Sequence, residues 1–534
     1  MGRTVMMRVR ALTNSTGHWQ KQCLFWGLAS LLAVSYLWIH HRASFFCPAP
    51  WPDEGQFLWP AITFQRSNTL FAPQINPDMT IMWMPPGYMV WHGLIFKLTG
   101  ASFRLARWLS GVYILGGMYF FLRTTLRQGL KWTALYLAGV FLLSKWFIFS
   151  GNLARMEGLV FLMVSAAFFL LATKQHYKAL ILLSLSPLVH PNGLYFCMGG
   201  GLYFLYRIYG HPEERKCSTV DKWLLLLPLG LWSAYLVYIG AHYREFQAHM
   251  PLQFTWKKQM LSLQGGVFWE SLKPSQFLGV AILLACVLYA RHKKLPYYLL
   301  AAFAVSAKML VLTAAGEQYG VYDALFSLIV SVLVILTVAQ VVRGTRLPLA
   351  AQEAVLGVAL VALTGAGYAI DHLGLPTDRW GRAGVFGSLP PGNNTYLSSE
   401  EEQHIRNFIA SLHSPKPIRI QFYPESEALL FQDVDGERIR LCHPTFCERV
   451  DPVTKWTVYK APADVHIVHL SAYTPERLYQ QMAIHVGVMS LVPVPESDLG
   501  RLPLLYRRDG TESWHYFIAS PHVKRQAPAV VACR

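Results

Sequence analysis

The chain has 534 residues, of which 53% are hydrophobic and only 14% charged, and its mean hydropathy is +0.29. This excludes a soluble enzyme of ordinary composition and a disordered chain. A formal charge of +17 would point to nucleic acid in a soluble protein. Here the Lys and Arg residues form short clusters between long apolar runs, so membrane lipids are the expected partner and nucleic acid is not.

Arg3, Arg8, Arg10 and Lys21 precede an apolar run from Cys23 to Ile39 with no small-residue cleavage site after it. That pattern predicts an uncleaved first span starting in the cytoplasm. Taking Pro85 to Gly100 as the next span would put Arg123, Arg127 and Lys131 outside and reverse the sidedness of the later basic loops. The stretch Pro85 to Leu98 is short for a span and carries Trp91, His92 and Lys97, so it is expected to lie along the outer interface. The second span then runs from about Leu105 to Leu122, and the clusters Lys174/Lys178, Arg207/Arg215/Lys216/Lys222, Arg291/Lys293/Lys294 and Arg343/Arg346 all fall inside.

This scheme needs Ala179 to Tyr206 to be a hairpin turning outside at His190-Pro191-Asn192-Gly193. One long helix kinked at Pro187 is the alternative, and it would put Arg207 to Lys222 outside and the tail inside. The preferred reading is a polytopic α-helical membrane protein with about 11 transmembrane helices. Residues 1–370 form the membrane domain, 42–104 its first outer loop with interfacial helices, and 371–534 a C-terminal extracytoplasmic domain.

In the tail, Pro, Gly and charged residues replace the Leu runs. Glu400 to Leu412 reads as a helix capped by Ser398/Ser399, Ile418 to Tyr423 and Val465 to Leu470 as strands, and Pro475 to Val486 as a further helix. A small α/β domain is expected. Cys442 and Cys447, in LCHPTFC, are expected to close a tight disulfide loop on the outer side, with no second ligand pair to make a metal site.

Chemistry is most concentrated at Asp53 and Glu54, in WPDEGQFLWP. Paired carboxylates beside Pro and Trp at a membrane surface are expected to ionise less readily, and one of them could act as a general base toward a hydroxyl or amine. In a soluble protein the same pair would read as two solvated loop acids. Arg104, Arg107, Lys145, Arg155, Glu157 and Lys308 fall at a similar depth near the outer face. Snorkelling explains any one of them alone. Together, many cations around few acids point to an anionic ligand such as a lipid phosphate or pyrophosphate.

The run Asp53-Glu54-Gly55, the stretch Met84-Pro85-Pro86-Gly87-Tyr88 leading into HGLIFKLTG, RLARWLSGVYILGGMYFFLR and NLARMEGLVFLMVSAAFFLL occur in the order and spacing of a known superfamily. The chain resembles the GT-C glycosyltransferases that include protein O-mannosyltransferases and lipid A aminoarabinose transferases (glycosyltransferase family 39-like), over roughly its first two hundred residues. More loosely, EQYGVYDALFSLIVSVLVIL resembles them too. The resemblance implies a GT-C fold and transfer of a sugar from a polyprenyl (dolichyl or undecaprenyl) phosphate to a lipid, glycan or protein acceptor on the outer face, with inversion. It makes Asp53 the catalytic base, with Glu54 beside it, and maps the family's first-loop Arg to Arg104 or Arg107 as a clamp on the donor phosphate. Arg155, Lys308 and His190 are the other phosphate-binding candidates. Glu157, Glu317, Tyr319 and Tyr322 are candidates for holding the sugar or acceptor, although interfacial anchoring explains the two tyrosines equally.

Many relatives carry His or a Glu-Lys pair before Pro-Pro, where this chain has Trp83-Met84, which leaves a divalent metal (Mg or Mn) and the donor open. Two other classes stand beside the enzyme: a lipid-linked saccharide transporter or flippase, and a non-catalytic lipid-sugar binding protein. A transporter is expected to carry midplane charges and inverted repeats, whereas here the charges sit toward one face and no repeat is visible. The expected location is the plasma (inner) membrane, with endoplasmic reticulum as the alternative.

Overall fold

The computed structural model describes residues 20, 22–41, 52–75, 82, 84–127, 131–142, 151–210, 218–247, 250, 342, 345–348, 351–352, 354–358, 399–423, 425–442, 464–469, 504–507, 514–519 and 524–525. Nine helices are described in the N-terminal part: α1 (Gln22–His41), α2 (Pro52–Ser67), α3 (Gly87–Thr99), α4 (Phe103–Arg127), α5 (Lys131–Leu142), α6 (Met156–Ala172), α7 (His176–Val189), α8 (Gly193–Gly210) and α9 (Thr219–Ala241). Of these, α1, α4 and α9 are long and apolar enough to cross a membrane. Helix α9 leaves Trp223, Leu227, Leu229, Leu236 and Val237 exposed around its circumference, as a helix facing lipid does. The expected boundary near 370 lies outside the described residues, as does most of the expected later set of spans.

Helices α4 and α6 pack along their length through aromatic rings, Phe121 meeting Phe161 at 5.5 Å and Phe120 meeting Phe169 at 5.7 Å between centroids. Residues 176–210 form two helices rather than one kinked helix. Tyr177 near the start of α7 stacks edge-on with Phe204 far along α8, 5.2 Å apart, so the pair folds back on itself at His190–Asn192. Gly193 permits the turn, since a Cβ there would fall on the Ser186 carbonyl group.

The segment between α1 and α4, expected as the first outer loop, holds two helices side by side. The expectation of helices within 42–104 placed only α3; Pro52 opens α2, Asp53 and Glu54 occupy its first turn and Arg66 its last, a placement that suits the helix dipole. Helix α3 is 13 residues long and packs against α2. It buries Tyr88, Met89, His92, Gly93 and Phe96 and turns Trp91, Leu94 and Leu98 outward. The two helices run in the same direction: Tyr88 faces Phe57 at their starts, and Lys97 lies 4.8 Å over the Phe64 ring and bonds Asn68 at their ends.

The C-terminal part is an α/β domain. Helix α10 (Ser399–Ala410) precedes β1 (Leu412–His413), β2 (Ile418–Tyr423), a 3-10 turn (Glu425–Phe431), β3 (Ile439–Cys442), β4 (Val465–His469), β5 (Leu504–Arg507), β6 (Trp514–Ala519) and β7 (Lys524–Arg525). The main sheet has the order β3-β2-β4-β6-β5, with β2 parallel to both β3 and β4 and β6 antiparallel to β4 and β5. Ile418, Ile420 and Phe422 alternate on one face of β2 and are fully buried, Phe422 stacking on Phe431. The expected helix from Pro475 to Val486 lies outside the described residues.

This domain docks on the first outer loop. Arg66 donates to the Gln432 carbonyl (2.8 Å), Gln74 to the Asp435 carboxylate (2.7 Å), Gln432 to the Ala101 carbonyl (2.6 Å) and Arg104 to the Glu402 carboxylate (2.9 Å). The loop and the domain therefore share one side of the bundle. The Gly151–Arg155 segment and the His190 turn gather on that side too, and Phe71 meets His242 at the end of α9. Arg123 and Arg127 end α4 at the opposite side.

Candidate active site

Two consecutive acids at the start of α2 face two consecutive residues at the start of α6. Arg155 donates through Nη1 to Asp53, while its Nε and Nη2 grip Glu157 at 3.1 and 2.8 Å. One position along on each chain, Glu54 accepts the backbone N–H of Ala154 at 2.7 Å. Arg107, one turn into α4, forks onto the same carboxylate at 2.9 Å through Nε and 2.6 Å through Nη2. Phe103 covers its guanidinium at 4.7 Å. The Glu54 clasp thus fixes the register in which Asp53 meets Arg155.

Exposure separates the acids. The side chains of Glu54 and Arg107 are 0% exposed and that of Glu157 is 2%, whereas Asp53 keeps 26%. The sequence put Glu54 beside Asp53 as a catalytic acid and Arg107 on a donor phosphate. In the structure the two are buried and pair with each other. Arg104 points away from this cluster to Glu402 of the C-terminal domain. Arg104, Arg107 and Arg155 each pair with a carboxylate from a distant part of the chain.

His190, 4% exposed, joins the cluster and bears electrostatically on Glu157. The Asn192 backbone N–H donates to its Nδ1 at 3.1 Å, so the neutral ring carries its proton on Nε2 and donates from there. The turn is seated by the Met84-Pro85-Pro86-Gly87-Tyr88 segment: a Cβ at Gly87 would fall on the Leu188 carbonyl, so only glycine lets the start of α3 approach so closely.

Two supports escaped the sequence reading. His40 at the end of α1 bonds Asn152, two residues before Ala154, and its ring packs on Gly111 of α4. Asn152 stood inside a motif already singled out, whereas nothing near His40 marked it. Tyr88 is fully buried between Phe57 and His92. Burial, with a smaller contribution from Tyr113 and the acids Glu54 and Glu157, pushes its phenol well above its ordinary range. His92 is pushed down to about 4 by burial, against a weaker opposing hydrogen bond to the Tyr88 carbonyl.

Among the described residues no group of three or more His, Cys, Asp or Glu is arranged to hold a metal ion. Each of Asp53, Glu54 and Glu157 is already engaged by a guanidinium, so the cluster does not fit a divalent Mg or Mn ion and no step below uses one. Lys145, Lys308, Glu317, Tyr319 and Tyr322 lie outside the described residues. Cys442 is a buried thiol at the end of β3, and Cys447, with the pairing expected of it, lies outside them also.

Fold and site together define a largely helical protein, three of whose described helices are long and apolar enough to cross a membrane, with an acid and guanidinium cluster beside a helix-and-sheet unit. No family model matches the chain, and no curated protein matches it in sequence. Two among the solved structures that are similar in shape are as follows. One is ArnT from Cupriavidus metallidurans bound to undecaprenyl phosphate, at 12% identity and TM-score 0.49, covering 92% of this chain and 98% of that one. The other is the Archaeoglobus fulgidus oligosaccharyltransferase in complex with Zn and sulfate, at 11% identity and TM-score 0.41, covering 85% and 70%.

Proposed function

We propose that this chain is a membrane glycosyltransferase of GT-C type that moves a sugar from a polyprenyl phosphate to an acceptor on the outer face, with inversion and with Asp53 as base. The observation that carries the reading is the accessibility of Asp53: it alone of the three clustered carboxylates keeps a substantial exposed surface, 26%, while its partner Arg155 is held from behind by Glu157.

The acceptor hydroxyl or amine attacks the anomeric carbon, forming the new glycosidic bond. The bond from that carbon to the phosphate oxygen breaks, and its electron pair leaves with the lipid phosphate. The acceptor proton passes to Asp53. A carboxylate is a weak base, so this transfer comes late, when bond formation has made the acceptor acidic. Arg155 orients the carboxylate, and the buried ion pairs exclude water from around it. His190, donating from Nε2, is suited to a phosphate or sugar oxygen, with Lys308 retained as a second phosphate contact. Glu157 positions Arg155 rather than touching the acceptor. The N-terminus is cytoplasmic and the C-terminal domain extracytoplasmic. Contact between the first outer loop and that domain supports an odd number of spans, which eleven satisfies.

The test is release of lipid phosphate from a panel of radiolabelled polyprenyl-phosphate sugars by wild-type protein and by Asp53→Asn, with acceptors present. Release by wild type alone is expected. Donor binding without release by wild type would overturn the reading in favour of a lipid-sugar carrier.

A further inference from the structure

We infer that the C-terminal domain braces the active site, with Asp435 and Glu402 acting as positioning residues for Asp53; the catalytic part of this inference rests on the function proposed above. Helix α2 is fastened to α4 at two places. At its start the fastener is the buried Glu54 to Arg107 fork. At its other end, about 20 Å away along the helix, the fastener is supplied by the C-terminal domain.

Asp435 is the pin. One carboxylate oxygen accepts the Leu441 backbone N–H of β3 at 2.9 Å, which ties it to its own sheet. The other accepts Gln74 at 2.7 Å and Arg66 at 3.4 Å, which ties it to the outer loop and the last turn of α2. The adjacent Gln432 grips both helices, its carbonyl accepting Arg66 at 2.8 Å and its amide donating to Ala101 at 2.6 Å, just before α4.

Glu402 makes the second contact, with Arg104 in the first turn of α4, three residues before Arg107. Its other oxygen is held by Arg406, which also chelates Asp433 at 2.9 and 2.7 Å and donates to the Leu430 carbonyl at 2.7 Å. The docking face is thus organised within its own domain before it meets the loop. Such bonds between partly exposed groups add little to stability one by one. Their effect is geometric: they span α2 and α4 together, and a small displacement of a base from its reacting atom costs rate steeply.

The experiment uses the full-length protein in lipid nanodiscs with the variants Asp435→Ala, Glu402→Arg, Arg104→Glu and the swapped pair Arg104→Glu/Glu402→Arg. Amide exchange over residues 52–67 is read alongside kcat and donor KM. Asp435→Ala and Glu402→Arg are expected to raise exchange in α2 at least about threefold. They should lower kcat on the order of tenfold with donor KM nearly unchanged. The swapped pair should restore part of both, since it recovers the contact with α4 but not the one with Arg406. Unchanged exchange in α2 in both Asp435→Ala and Glu402→Arg overturns the brace. Altered exchange in a protein that transfers no sugar keeps the brace and removes the function proposed for it.

Discussion

Arg107 and Glu54 form a two-bond fork, 2.9 and 2.6 Å, with both side chains wholly buried. Removing one partner strands the other as an unpaired charge, at a cost of about 3–5 kcal/mol, whereas replacing both with apolar residues of similar volume is often neutral or stabilising. Glu54→Gln and Arg107→Met are therefore each expected to lower the unfolding midpoint sharply in thermal scans, and Glu54→Met/Arg107→Met to recover most of it. The double variant also loses the acceptor for the Ala154 N–H, so its transfer activity should stay low although its stability returns. Recovery of both would mean that the pair only fills space.

Arg155 uses three nitrogens on two acids, with Nε and Nη2 on Glu157 and Nη1 on Asp53. In Glu157→Gln the charge behind the guanidinium is gone, so Arg155 is drawn further onto Asp53 and the base is muted without being removed. A fall in kcat of about 10-fold is expected, against roughly 10²–10⁴-fold for Asp53→Asn, with donor affinity changed in neither. Equal losses from the two variants in steady-state assays would give Glu157 a direct share in the chemistry.

Local signals were legible and distant ones were not. The strand at Ile418–Tyr423, the turn at His190, and the convergence of Asp53, Arg155 and Glu157 follow from alternation, turn chemistry and motif order. The partners of the cations do not. Arg104 finds Glu402 298 residues away and Arg107 finds Glu54 53 residues away, and no spacing rule connects them. Counting cations against acids within one stretch of sequence therefore cannot find the pairs these two arginines make. Helix α2 is marked in the sequence by Pro52 and by the polarity of its ends.

Cys442 is buried at the edge of β3, and burial, reinforced by nearby acids and partly opposed by Arg419, pushes its thiol up to about 12. The reactive thiolate is then scarce at pH 8. Maleimide should leave this position unmodified in the folded protein and label it once the chain is denatured without reductant, as read by peptide mass mapping. Absence of labelling in the denatured, unreduced chain would establish the disulfide with Cys447 instead.

Gly87 brings the start of α3 against the Leu188 carbonyl, two residues before His190. A methyl group at that position has no room unless backbone shifts, which costs roughly 1–3 kcal/mol. Gly87→Ala should therefore displace the turn that presents His190. If His190 holds the donor phosphate as proposed, the expected result is a rise in donor KM with a smaller change in kcat, because His190 moves while Asp53 and Arg155 do not. A kcat loss as deep as that of Asp53→Asn would show that the distortion reaches the base.

His92 sits between Tyr88, at 4.1 Å, and Phe96 and Tyr113, at 6.1 and 6.0 Å, inside the outer loop. Burial lowers its pKa from 6.5 to about 4. Above the ordinary value the ring is neutral in the folded and unfolded chain alike and contributes no pH dependence. As pH falls through that window, the unfolded chain takes up a proton that the folded one refuses, so stability drops by about 1.4 kcal/mol per pH unit and by roughly 3 kcal/mol in all. His92→Phe fits the aromatic surroundings and cannot be protonated. Wild type and variant should unfold at similar temperatures at pH 7.5, and the variant should unfold later at pH 5. Parallel decline of the two with falling pH would assign the acid sensitivity to other groups.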